Sequence, residues 1–192
     1  TLFRSMNIKG KVVTLRALEI EDLPLLTKWS NSPEIWYNLG GWHFPYSSLS
    51  TEEYIRNINN NDMKFQNFAI ETEEMGFIGT TNLVDIDWKN RTAFNGIMLG
   101  DKDSRGKGYA LDAVMTIMQY AFKELGLNRL DGEMIAYNER SIDFYTRKCG
   151  WVVEGTKQDW FYRNGQFHDK VICGITQAQY DAHVEKVKYW NK

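Results

Sequence analysis

At 192 residues with a formal net charge of −2, the chain fits one domain able to bury a core, and its charge balance argues against non-specific nucleic-acid binding. Hydrophobic residues at 43% and charged residues at 25% describe an ordinary globule, and no apolar run approaches the ~20 residues of a membrane span. Two cysteines, Cys149 and Cys173, are too few for a disulfide framework and lack metal-ligand company, so no metal is expected and a reducing cytoplasm is the simple reading.

Residues 1–5 carry no apolar signal segment; Met6 reads as the native initiator and the five residues before it as a cloning remnant. A strand is predicted over 12–18 from its β-branched alternation. Leu23, Leu25, Leu26 and Trp29 then recur at helical spacing until Asn31-Ser32-Pro33 ends the helix. A ring-rich loop follows, with Trp36, Tyr37, Trp42, His43, Phe44 and Tyr46, and Ser50-Thr51-Glu52-Glu53 opens a second helix. Three strands are predicted at 67–71, 76–84 and 93–99, with a turn from Asp85 to Arg91.

From Lys107 the apolar period becomes helical. Ala110, Leu111, Val114, Ile117, Met118, Ala121, Phe122 and Leu125 form one stripe, with Gly126 placed as the C-cap. A strand at 129–136, a helix at 139–148, a strand from Gly150, a turn at Asn164-Gly165 and a strand at 171–175 complete a domain expected over 6–176. Residues 177–192 read as a helical tail. Consecutive strands, then βαβα, then a closing pair, define a mixed α/β sheet rather than a doubly wound one.

The chemistry concentrates at Arg105-Gly106-Lys107-Gly108-Tyr109-Ala110, where a strand hands over to the long helix. The first helical turn offers unpaired N–H groups and the positive end of the helix dipole, and two glycines let a diphosphate approach them. Arg105 and Lys107 add cations at the rim. A P-loop would need Gly-Lys-Ser/Thr, yet Gly108 follows Lys107; a dinucleotide turn would need a glycine where Leu111 stands. The acetyl-CoA pattern R-x-x-G-x-G/A is met by Arg105, Gly108 and Ala110.

With Asn138-Glu139-Arg140-Ser141-Ile142-Asp143-Phe144-Tyr145, matching N-x-x-S-x-x-x-Y, and the segment Cys149–Gly155 after it, the chain resembles the GNAT acetyltransferases, in particular the RimJ/RimL and spermidine acetyltransferase branch. The resemblance runs from Leu15-Arg16 to Val171. It implies a mostly antiparallel, splayed sheet of about seven strands flanked by helices, and acetyl-CoA as cofactor. It implies that Met98 and Leu99 offer free backbone groups to the pantetheine, that Asn138 hydrogen-bonds it, and that Ser141 caps its helix or touches the cofactor. Tyr145 is implied as the general acid that protonates the leaving thiolate.

The implied activity is direct acetyl transfer to a primary amine of a small molecule: a polyamine, amino sugar or antibiotic. A protein N-terminal acetyltransferase and a non-catalytic CoA-binding sensor stand as alternatives. Where the spermidine-like branch often carries a glutamate, this sequence has Ala93, Phe94 and Asn95, with no carboxylate. Asp85, Asp87, His43, His168 or water remain for the base, which the sequence leaves unassigned. Trp42-His43-Phe44-Pro45-Tyr46 falls where the fold puts its acceptor-side cover, as an acceptor clamp or a plain lid. A homodimer and a monomer are equally compatible with the sequence.

Overall fold

The structure, a computed structural model, describes residues 7–41, 44–58 and 62–191. Its strands are β1 (Ile8–Lys9), β2 (Thr14–Ala17), β3 (Phe65–Thr72), β4 (Gly76–Asp87), β5 (Thr92–Phe94), β6 (Ile97–Leu99), β7 (Arg129–Ile135), β8 (Val152–Arg163) and β9 (Gln166–Thr176). The helices are α1 (Leu23–Ser30), α2 (Pro33–Trp36), α3 (Ser48–Ile58), α4 (Tyr109–Gln119), α5 (Glu139–Asp143) and α6 (Gln177–Val187). One sheet runs in the order β1-β2-β3-β4-β5-β7-β9-β8, with β6 bonded to β4 off that path. Only β5 and β7 pair in parallel, because the helix between them is the crossover; the other pairs are antiparallel.

Both faces of the sheet are covered. Ile70 and Ile78 meet the apolar stripe of α4, where Ala113, Val114, Ile117 and Met118 are fully buried. Ala69, one residue along β3, points the other way into a smaller cluster with Leu26 and Trp29 of α1 and Ile55 of α3. Each buried branched side chain contributes about 1.5–3 kcal/mol. Asp112, on the first turns of α4, is 1% exposed and accepts the backbone N–H groups of Lys11, Val12 and Val13 and the Tyr189 hydroxyl. Both ends of the chain are thereby tied to the central helix. The tail helix α6 also packs inward, Tyr180 lying against Phe122 with ring centroids 5.4 Å apart.

The sheet has nine strands rather than about seven, and three boundaries differ from the sequence reading. The strand expected at 93–99 is two strands. Asn95 turns inward and donates to the Asn82 carbonyl at 2.7 Å, while Gly96 N–H donates to Asn82 Oδ1 at 2.8 Å, and the chain jogs between β5 and β6. Asp85 to Asp87 is not a turn but the end of β4, with Asp85 in a bulge at φ 51°. The closing strands extend into a 12- and 11-residue hairpin around Asn164-Gly165, both at positive φ as the tight turn requires. Pro33 does end the first helix, but it also starts α2 as its first residue.

Candidate active site

β6 is held to β4 alone. Leu99 lies opposite Gly79, where a Cβ would stand 2.1 Å from the Met98 carbonyl, so only glycine admits this approach. On the other side, β5 stays paired with β7 through Phe94 and Asp131, with one further bond from Asn95 N–H to the Asp131 carbonyl at 2.8 Å. Beyond that bond β6 and β7 part. A cleft of about 680 Å³ opens between them, with Met98 and Leu99 on one wall and Gly132, Met134 and Tyr145 on the other.

At one end of the cleft, a 3-10 turn at Lys102–Ser104 leads to the glycine turn. Gly106 and Gly108 have φ of 77° and 81°, and Gly108 is the N-terminal cap of α4. A Cβ at either glycine would meet nothing within 4 Å, so open space lies against the start of α4, whose first amides have no partner within the helix. Tyr109 is buried beneath the turn and Ala110 is half-buried. The turn is therefore exposed backbone at a helix N-terminus, the arrangement that receives an anion.

The cations around it are occupied by carboxylates. Arg105 Nη1 pairs with Glu34 at 3.0 Å, and Lys102 with the same carboxylate at 2.5 Å. Lys107 pairs with Glu74 at 2.8 Å, and the Tyr109 hydroxyl donates to the other Glu74 oxygen at 2.8 Å. Hydrogen bonds from Lys102 and Arg105 hold the Glu34 carboxyl below the usual carboxylate range, as those from Lys107 and Tyr109 hold Glu74.

Asn138 caps α5, its side-chain oxygen accepting the Ser141 N–H at 3.2 Å while its amide reaches the Asn38 carbonyl at 3.4 Å. Capping thus falls to Asn138, and Ser141 lies on the cleft wall. Tyr145 follows in a π-helical turn, Phe144–Lys148, that continues α5. It is 5% exposed and meets Trp151 edge-on at 4.9 Å. Burial pushes its phenol well above the ordinary value. Among the described residues its hydroxyl makes no hydrogen bond, and it borders the cleft.

The expected base candidates do not gather here. Asp85 is exposed in its bulge, and Asp87 is occupied by Asn90, accepting its N–H at 2.8 Å and its side-chain amide at 2.7 Å; neither borders the cleft. His168 lies on β9 with its ring on Tyr137 at 4.8 Å, also outside the cleft. Trp42 and His43 lie outside the described residues, while Phe44 is exposed away from the cleft. Leu39, Gly40, Gly41 and Phe161 border the cleft instead.

Glu133 and Phe161 were not apparent from the sequence. The signal was the alternation in β7, which sets Arg129, Asp131 and Glu133 on one face of an otherwise apolar strand. Among the described residues no group of acidic, histidine or cysteine side chains is arranged to hold a metal ion, and no helix is long and apolar enough to cross a membrane.

A strand pair that splays beside a glycine-capped helix defines an acyl-CoA-binding transferase. The family described as Acetyltransferase (GNAT) domain matches residues 13–152, and the chain belongs to it. It is 28% identical over 169 residues to the spermidine N(1)-acetyltransferase of Vibrio cholerae, covering 88% of this chain and 95% of the relative. It is 29% identical to the putative ribosomal N-acetyltransferase YdaF of Bacillus subtilis, covering 88% and 93%. The structure of the Vibrio cholerae spermidine N-acetyltransferase in complex with CoA and spermine superposes with a TM-score of 0.77 at 27% identity, covering 89% of this chain and 99% of that one. The protein is an acetyl-CoA-dependent N-acetyltransferase.

Proposed function

We propose that the acceptor is a small aliphatic amine of the polyamine kind, with the transfer organised by the residues around the split strands. The observation that carries this reading is the open glycine turn at one end of a cleft whose other end presents a carboxylate and a ring. In it, backbone amides at 106–110 with Arg105 and Lys107 take the diphosphate, displacing Glu34 and Glu74. Met98 and Leu99 offer their free strand edge to the pantetheine amides, and Asn138 and Ser141 flank the same arm. The relatives named for spermidine support the amine class, and the two buried, unpaired cysteines suit a reducing cytoplasm. Residues 6–176 act as the catalytic domain, with the tail helix as its brace.

Transfer needs a neutral amine. An alkyl amine of pKa near ~10.4 costs about 4.6 kcal/mol to deprotonate at pH 7, against about 1.4 kcal/mol for an α-amine near ~8. Holding amine and thioester in attack geometry offsets part of this. Tyr145 donates its hydroxyl to the sulfur as the C–S bond lengthens. Burial raises its phenol well above the ordinary tyrosine range, so complete proton transfer to the departing thiolate is uphill and the hydrogen bond itself carries the stabilisation.

The test is release of free thiol from acetyl-CoA by the purified protein across spermidine, glucosamine and N-terminal peptides. Turnover with spermidine above the others is expected. Preference for the peptides contradicts the small-amine reading.

A further inference from the structure

The cleft is bordered by neighbouring residues of β7, Gly132, Glu133 and Met134, whose side chains leave opposite faces of the sheet. Pairing of β7 with β9 is regular, so its side chains alternate strictly. Gly132 backs onto Trp151, whose ring packs on Tyr145: a Cβ there would lie 3.1 Å from the indole. Glu133, the next residue, therefore emerges on the face opposite Tyr145. There, among the described residues, its carboxylate is held at one oxygen only. Oε2 accepts from Lys170 Nζ at 2.6 Å, and Lys170 is itself buried under Trp160, whose ring centroid is 4.0 Å from the ammonium. A bulge at Asp159 in β8, at φ 51°, places Trp160 and Phe161 on this spot. Oε1 turns toward the loop after α2, where a Cβ at Gly40 would stand 3.9 Å from it and 3.1 Å from the Phe161 ring. Glu133, Gly40 and Phe161 all border the cleft.

We propose that Glu133 is the catalytic carboxylate that receives the attacking amine, in the place of the one missing from Phe94 and Asn95; this rests on the transferase reading above. The amine reaches the site as its neutral form, and Glu133 is not needed to strip the free substrate. It acts once the bond forms. The nitrogen lone pair adds to the thioester carbonyl carbon, and nitrogen becomes positive while oxygen becomes negative. Oε1 accepts a hydrogen bond from that nitrogen and then its proton. The carbonyl re-forms, the C–S bond breaks, and the sulfur departs as thiolate against the Tyr145 hydroxyl; solvent later protonates the thiolate and takes the proton from Glu133. Because positive charge on nitrogen appears only after attack begins, the carboxylate favours the transition state over the bound amine.

Glu133→Gln keeps an acceptor for Lys170 and removes the charge. With spermidine and n-butylamine as probes, kcat is expected to fall at least ~100-fold, the low end of what loss of one preorganised electrostatic group costs, while acetyl-CoA affinity by calorimetry stays within about twofold. Glu133→Asp, which retains the charge on a shorter arm, is expected to recover part of the rate. An active wild type matched within about threefold by Glu133→Gln overturns this role alone. So does loss of acetyl-CoA affinity in both variants, which makes Glu133 a structural partner of Lys170. A wild type that releases thiol with no amine overturns the transferase reading and this role together.

Discussion

Arg105 and Lys102 hold the two oxygens of one carboxylate, Glu34, at 3.0 and 2.5 Å, and that carboxylate belongs to α2, the helix that leads into the acceptor-side loop. The cation read from the sequence as a diphosphate partner is therefore already neutralised, by a residue that borders the cleft from the other wall. On the proposed reading, arrival of the cofactor exchanges one anion for another.

This exchange sets the first expectation. Glu34→Gln frees Arg105 and Lys102, whose pairs with it are exposed and individually weak. CoA affinity by calorimetry should rise about two- to fivefold, with a steeper salt dependence. Weaker binding would show that Glu34 orders the site rather than competing for it.

Tyr145 is separable from the fold because its hydroxyl has no hydrogen-bonding partner among the described residues, while its ring packs on Trp151 and Phe144. Tyr145→Phe should lower kcat at least ~10-fold, short of the ~100-fold or more of full proton donation because the phenol stabilises the sulfur by a hydrogen bond. The thermal midpoint and CoA affinity should stay unchanged. A variant as fast as the wild type would remove Tyr145 from the chemistry.

Asp112 is the converse case, far from the cleft and fixed by four hydrogen bonds. Asp112→Ala leaves donors from Lys11 to Val13 unpaired and releases Tyr189, a loss of about 2–4 kcal/mol. In a chain of this size the thermal midpoint should drop by roughly 5–15 °C. A drop of under about 2 °C would mean the terminal segments hold by apolar contact alone.

Alkaline pH should loosen the fold through its buried phenols. Burial pushes Tyr180 up to about 12, whereas the unfolded phenol titrates near ~10. The unfolded state thus gives up its proton first, so stability is flat below pH 10 and falls as pH rises toward 12. Tyr180 alone accounts for about 2–3 kcal/mol over that window. Urea midpoints should decline above pH 10, and more gently in Tyr180→Phe; a flat profile to pH 12 would contradict the burial of this ring.

The helix stripe from Ala110 to Leu125 and the turn before it were legible because period and glycine spacing are local. So was the hairpin turn at Asn164-Gly165. The split between β5 and β6 was not, since it depends on Asn95 reaching Asn82, thirteen residues away, and a β-run with one inward amide looks continuous. Glu133 was hidden for the same reason: its meaning comes from Lys170 and Gly40, which only the folded sheet brings beside it. The length of β8 and β9 escaped notice because the outer hairpin is exposed along much of β8, where Glu154 to Asp159 is a polar run with no polar–apolar alternation.

The glycine turn is where the whole reading is most directly exposed. Calorimetric titration of acetyl-CoA into Gly108→Val, beside the wild type, sets a branched side chain in left-handed backbone that faces open space, so it clashes with an anion and not with the protein. Binding by the wild type and its loss by at least ~100-fold in a variant that still unfolds cooperatively is the expected result; retained affinity would contradict the grip of this turn on the cofactor.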